Sequence, residues 1–451
     1  MALLNSLKPG GRNGLASTET RDPIGYAVAA LNRLAQSELL DRWGLRKTSE
    51  RAVFSATRGG FKVATAAGRQ FARAGKKGAA GTRVPGASAH GVFDLTPTED
   101  EQMLVDVVSE FAAEMVRPAA AAADEACATP QEVLAGSLEI GLPILGVPES
   151  LGGISEERSA VAGTLVAEAL AAGDMGIAVA ALAPGAVATA LSLWGDEAQQ
   201  QTYLPVFTGD QVPAAALVLS EPTVLFDVMT PATTAVRDGD GYRITGTKSA
   251  VVRGAEAELF VVGAQLDGKP ALFLLESSGE GLEVEADPSM GLRAASLTTL
   301  TLTDAPAQLL GSADGSTYRE AVRLSRLGWC ALALGTGQAV LDYTRDYVNT
   351  REAFGEPVSH RQAVAFMVAD IAIELQAMRL LTYRAASRAA QGKDVGREVA
   401  LARQACSRHG MKIGLDGVQL LGGHGFVKEH PVERWYRDLR AVSLMEGGVL
   451  V

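Results

Sequence analysis

Glu446 is the lone charge in the stretch Ala441-Val442-Ser443-Leu444-Met445-Glu446-Gly447-Gly448. A carboxylate among apolar neighbours and beside a glycine turn has two readings. It is a solvated chain end, or it is a carboxylate held in a dry pocket with a raised pKa, the condition a general base needs. Arg351 opens the string Arg351-Glu352-Ala353-Phe354-Gly355, and Gly422-Gly423 follow Gln419 in "QLLGGHGF". Taken alone, the arginine reads as a surface residue near a helix end and the glycines as a helix-ending turn. Among the five histidines none has metal-ligand spacing, and the three cysteines (Cys127, Cys330, Cys406) are far apart. Neither a zinc site nor a disulfide framework is expected, and a reducing cytoplasm fits.

The elements that must position these residues change texture along the chain. "LTPTEDEQMLVDVVSEFAAEMVRP" predicts a helix capped by Thr96 or Thr98, with Met103, Leu104, Val107, Val108, Phe111 and Met115 on its apolar face. Helical signals run to about residue 207, interrupted by "GVPESLGG" (146–153). The longest uncharged run, 175–195, is a weak spanning candidate and reads as a buried helical hairpin broken at Pro184. From about 214 to 312 short β-branched stretches alternate with Asp-Gly and Gly-Lys turns, which predicts an all-β middle. Helical signals then continue without a strand. At 451 residues, two or three domains are expected. The boundaries fall at an N-terminal extension and linker (1–93), a helical domain (94–213), a β domain (214–315) and a second helical domain (316–451).

Charge separates the extension from the rest. The whole chain carries a net −11, yet residues 1–93 hold 15 Lys/Arg against 5 Asp/Glu, and the remainder 26 against 47. The acidic body argues against nucleic acid as a partner. Residues 24–74 read as two basic amphipathic helices bearing Trp43, Phe54, Phe61 and Phe71. They would lie on an anionic membrane as a peripheral contact, or pack on the acidic body or a neighbouring subunit. "MALLNSLKPGGRNG" lacks the apolar run of a secretory signal, so a cytoplasmic location is expected.

The helix–β–helix order, together with local strings in sequence, resembles the acyl-CoA dehydrogenase family over about residues 94–449. The strings are the opening helix, "LEIGLPILGVPESLGG", "SEP" (220–222) with "TTAVRDGDGYRITGTK", "MGLR" (290–293), the stretch from "RLGWCALALGTGQAV" through "TREAFGEPVSHRQAV", "QLLGGHGF" and "VERWYRDLRAVSLMEGG". The resemblance implies an α+β fold: an N-terminal all-α domain, a middle β-barrel or sandwich, and a C-terminal four-helix bundle. It implies FAD-dependent α,β-dehydrogenation of an acyl-CoA thioester, with Glu446 as the base. Some relatives carry the base on the helix of "RLSRLGW", but that slot is Ser325 here. It further implies FAD across a subunit interface, held by Ser220, Arg351, Phe354, Gln362, Gln419, Gly422 and Gly423. Arg326 would line the acyl-CoA site. A homodimer or homotetramer and an electron-transfer flavoprotein acceptor belong to the same expectation.

Departures cluster where the flavin ring would sit. Thr223, Val224, Leu225 and Phe226 replace a small Gly/Ser-rich segment, Ala250 and Val252 replace an aromatic and a hydroxyl residue, Arg253 replaces an Asn, and Gly448 replaces a Thr. They motivate a second reading, a diverged subunit or scaffold of a hetero-oligomer whose ring pocket Leu225 and Phe226 fill. An oxidase or flavin monooxygenase is a third. The Ala- and Gly-rich stretch 181–191, taken as acyl-pocket lining, leans toward long or bulky acyl groups.

Overall fold

The computed structural model describes residues 97–451 except 155 and 210. The helices expected over 24–43 and 49–74, the linker to residue 91 and Thr96 lie outside the described residues. Helix α1 (Glu99–Phe111) starts as its sequence spells it. The Thr98 hydroxyl accepts the Glu101 N–H (3.2 Å) while the Glu101 carboxylate accepts the Thr98 N–H (3.0 Å). It continues through a π-turn (Ala112–Val116) into α2 (Arg117–Ala126), and α3 (Gln131–Glu139) follows. Of the apolar face expected on α1, Val108 and Phe111 are buried, whereas Met103, Val107 and Met115 face outward. The apolar arc is wider than the stripe the neighbouring helix covers.

Helices α4 (Ala160–Gly173), α5 (Met175–Trp194) and α6 (Glu197–Phe207) complete the first helical layer. The hairpin expected at Pro184 does not form: α5 is one unbroken helix with the proline inside it. Proline removes one N–H donor and crowds the preceding turn, at about 3 kcal/mol. Complete burial of Ile177, Val179, Val187 and Leu191 on both sides of Pro184 outweighs that cost. The same burial explains a run apolar enough for a membrane: 83% of its most apolar window is inside the fold.

Seven strands follow: β1 (Ala215–Val218), β2 (Thr234–Asp238), β3 (Gly241–Val251), β4 (Leu259–Leu266), β5 (Lys269–Glu276), β6 (Leu282–Ala286) and β7 (Thr298–Leu310). Strands β2, β3, β7, β5 and β4 pair in a closed ring, with β6 added on β7. β1 shares one edge of β4 with β2, both running parallel to it. Ring closure is possible because each face of β4 and β5 has a core to meet. Phe260, Val262, Phe273 and Leu275 fill the barrel, while Val261, Leu272 and Leu274 pack with Val187, Leu191 and Leu204 of the helices.

The C-terminal layer holds α7 (Ser316–Thr350), α8 (Gln362–Ala390), α9 (Gly396–Leu421) and α10 (Val432–Ala441). Against expectation it contains a small hairpin, β8 (Glu352–Ala353) with β9 (Glu356–Pro357). Its two-residue turn places Phe354 at φ +57° and Gly355 at φ +82°, the pattern of a primed turn. Pairs this short leave no periodic signal in a sequence. Two of the quoted strings meet across the layers: the Asp438 carboxylate accepts the Leu292 N–H (2.7 Å), joining "YRD" to "MGLR".

Candidate active site

Three separate segments converge on Glu446. From α7, Ser325 accepts the Gly447 N–H (2.9 Å) and donates to its carbonyl (3.1 Å), and the Trp329 indole donates to the same carbonyl (2.7 Å). The spacing 325, 326, 329 puts all three side chains on one face of the helix. From the turn after β1, the Ser220 hydroxyl donates to the Glu446 carbonyl (3.0 Å) and accepts its N–H (3.2 Å). Gly447 and Gly448 take φ of +81° and +82°, where a β-carbon is strained, and a side chain at 447 would strike Leu217. The glycine at 448, a departure from the family string, is thereby explained.

The carboxylate is 8% exposed and ion-paired. Arg326 forks onto it, Nε to both oxygens at 3.0 Å and Nη2 to Oε1 at 2.6 Å. Arg403, from α9, reaches Oε1 at 3.4 Å and the Met445 carbonyl at 2.9 Å. Burial lowers the Arg403 pKa, and its Nη1 has no partner among the described residues. The apolar surroundings read from the sequence are thus only half right: the flanking residues are buried, but the charge itself has two cationic partners. Sequence reasoning missed Arg403 and Trp329, and saw in Ser325 only a slot unfit for a base. The helical spacing of Ser325, Arg326 and Trp329 was the available signal; Arg403 had none.

Beside Ser220, the Glu221–Lys248 pair is sealed off, its side chains 3% and 0% exposed at 2.8 Å. Glu221 also accepts the N–H groups of Ala232 and Thr233 and the Thr233 hydroxyl. The lysine pKa drops to about 8 because burial outweighs the attraction of Glu221. The altered loop lies differently from expectation. Leu225 (φ +60°) is 96% exposed and fills no pocket, and Phe226 packs against the helical core between the barrel and α5. Val252 is buried against the Gly448 turn, and Arg253 pairs with Glu256 (2.7 Å).

A second feature lies at the other end of α7. A groove of about 530 Å³ is lined by Tyr347 of its last turn and Arg351 just beyond it, Val364 and Met367 of α8, and Gln419, Gly422 and Gly423 where α9 ends. Gly422 takes φ +58°, and β-carbons on Gly422 and Gly423 would meet nothing, so the backbone faces open space. Of the expected cofactor residues, Arg351, Gln419, Gly422 and Gly423 come together here. Phe354, 97% exposed beneath the Arg361 guanidinium, and Gln362 stand outside the groove on the surface, and Ser220 belongs to the Glu446 cluster. Two imidazoles, His424 and His430, stack at 5.2 Å beside it, each accepting or donating at Nδ1 with a tyrosine hydroxyl (Tyr347 and Tyr343) at 2.7 Å.

Three family models match in chain order: acyl-CoA dehydrogenase N-terminal domain over residues 98–210, middle domain over 216–305 and C-terminal domain over 316–448. A relative, the mitochondrial short-chain specific acyl-CoA dehydrogenase of Bos taurus, is 32% identical over 360 residues, covering 77% of this chain and 87% of its own. This chain belongs to the acyl-CoA dehydrogenase family. Its fold agrees with butyryl-CoA dehydrogenase from Megasphaera elsdenii at a TM-score of 0.72 and 26% identity, over 78% of this chain and 95% of that one. A chain solved in work on the electron transferring flavoprotein of Acidaminococcus fermentans gives the same TM-score at 30% identity, over 78% and 95%. The α+β fold, the FAD-dependent oxidoreductase activity on acyl-CoA and the flavin cofactor are those of the family. The scaffold reading, which needed Leu225 to fill the ring pocket, is not favoured.

Proposed function

We propose that Glu446 is the base that removes the α-proton of an acyl-CoA thioester, and that the groove at Arg351 holds the ADP end of FAD. The observation that carries the first claim is the clamp on Glu446. Ser220, Ser325 and Trp329 fix the backbone on both sides of one buried carboxylate, an outlay of polar groups that a merely solvated end would not draw together. Arg326 and Arg403 hold that carboxylate between turnovers, and Arg326 swings aside, toward solvent that its side chain already reaches, when a substrate enters. Burial then excludes water from the proton transfer. FAD supplies the acceptor for the β-hydride when bound.

The groove fits the dinucleotide chemically. Arg351 offers a charge-assisted fork to a pyrophosphate, Gln419 an amide, and the glycine pair backbone N–H groups with no side chain in front of them. Its volume lies within the range of cofactor clefts. Phe354 and Gln362, exposed on the surface outside it, would meet FAD bound by a second copy of the chain. An outward stripe on α8, Phe366, Ile373 and Leu380 at intervals of seven, supports a homo-oligomer as the assembly. An electron-transfer flavoprotein is the acceptor we propose, and the cytoplasm the location.

Glu446→Gln tests the base. Dye reduction by acyl-CoA is expected to fall about 10²–10⁴-fold, with FAD content and acyl-CoA binding retained. Turnover within a few-fold of the parent would remove Glu446 from the reaction.

A further inference from the structure

The two oxygens of Glu446 are not held alike. Oε1 accepts from Arg326 Nε (3.0 Å), Arg326 Nη2 (2.6 Å) and Arg403 Nη2 (3.4 Å). Among the described residues Oε2 accepts from Arg326 Nε alone, at 3.0 Å. Both cations therefore meet on one oxygen, and the other oxygen depends on Arg326.

The cations differ in freedom as well. The Arg326 side chain is 32% exposed and that of Arg403 12%. Arg403 stands on α9 beside Val399, Ala402 and Cys406, all buried, and α9 is pressed against its neighbours. A β-carbon on Gly417 would lie 2.7 Å from Val340 Cγ1 of α7, and one on Gly414 would lie 2.9 Å from the Tyr436 Cα of α10. The Arg403 Nη2 that reaches Glu446 also donates to the Met445 carbonyl (2.9 Å), which ties the guanidinium to the backbone one residue before the carboxylate. Arg326 has no such tie: among the described residues its side-chain hydrogen bonds all run to the carboxylate.

A carboxylate kept from water needs a partner at every stage, because an unpaired buried charge is costly. When a substrate displaces Arg326, Oε2 loses its partner and presents free lone pairs, while Oε1 keeps Arg403. We infer that Oε2 is the atom that takes the α-proton, and that Arg403 is the positioning residue holding Oε1 while it does so. The inference rests on Glu446 as the base. In the step the Cα–H bond breaks and an O–H bond forms at Oε2. The electron pair left on Cα becomes the second bond between Cα and Cβ as the β-hydrogen departs, with its own pair, to the flavin. Arg403 touches no reacting atom; it fixes the direction in which the carboxylate points.

The test is a double-mutant cycle on FAD-loaded protein, read with butyryl-CoA and its α,α-dideuterated form. Arg403→Met is expected to lower kcat about 10- to 100-fold, the order expected when a reacting group is displaced by about 1 Å. KM should stay within a few-fold, and the α-deuterium isotope effect should be at least the parent's. Arg403→Lys, which keeps the charge, should recover part of the loss. In a Glu446→Gln background the same Arg403→Met change should alter kcat by no more than roughly two-fold, because the residue acts through the carboxylate. A full loss in that background, an isotope effect that collapses to one, or a kcat equal to the parent's would overturn the inference. Should Arg403→Met fail to fold, Arg403→Lys decides, and parental values in both kcat and isotope effect would then overturn it. Glu446→Gln separates the two readings. If it turns over like the parent, the base assignment falls; if it is inactive while Arg403→Met is unimpaired, only the role of Arg403 falls.

Discussion

The two ends of α7 solve opposite problems. At Arg351 the chain presents an open groove, glycine backbone and exposed polar side chains. At Arg326 most of the polar groups are already satisfied by one another: carboxylate on guanidinium, hydroxyl on backbone, indole on carbonyl. An open site loses little stability when altered, because water replaces whatever is removed. A closed one leaves a buried group unpaired. Perturbing the first should therefore change binding without changing stability, and perturbing the second should change stability or turnover without changing cofactor affinity.

The largest test of that contrast is Lys248→Met, which strands Glu221 in a sealed site. We expect a loss of about 3–5 kcal/mol in urea unfolding, most of it recovered when Glu221→Gln is added. Unchanged unfolding in the single variant would contradict a closed region of this kind. Arg351→Ala probes the open end. FAD affinity should weaken by about 1.5–3 kcal/mol, roughly 10- to 150-fold, with the melting temperature of flavin-free protein unmoved. A melting shift would mean that the groove is part of the core. Ser325→Ala withdraws two hydrogen bonds from Gly447 and should cost about 1–3 kcal/mol, read as a lower kcat with FAD content intact; a loss of flavin would merge the two ends into one site.

A further effect is on pH dependence. Burial, then the neighbouring Asp174 charge, raises the Asp438 pKa to about 8 from 3.8. The folded state then holds a proton that the unfolded chain has released, so stability from this group is full below about pH 4 and declines as pH rises to about 8. Asp438→Asn keeps an oxygen for the Leu292 N–H and should flatten that slope of melting temperature against pH. A slope equal to the parent's would place the titration elsewhere.

How far the sequence foretold this depends on the distance between partners. The Thr98–Glu101 capping box and the Gly422 turn are local, and each is written within four residues. The order of helices and strands is the sum of many such signals. Pro184 misled because a local rule met a helix buried along nearly its whole length. The site itself is mostly non-local. The separations from Glu446 are 43 residues for Arg403, 120 for Arg326 and 226 for Ser220, and no periodicity encodes such meetings. What the residues alone could offer at 446 was an anomaly of type, a charge in an apolar run, and the fold buries that charge against Arg326 and Arg403.

The Ser220–Glu446 clamp also sets an order in time. Ribosomes add roughly 5–20 residues per second, so the 226 residues between the two partners take roughly 11–45 s to synthesise. A strand that has paired its barrel neighbours waits through that interval with one edge and one serine uncommitted. On a nascent chain the barrel strands, Arg326 and Arg403 all precede Glu446, so the cluster around that carboxylate closes only after each of its partners has been made.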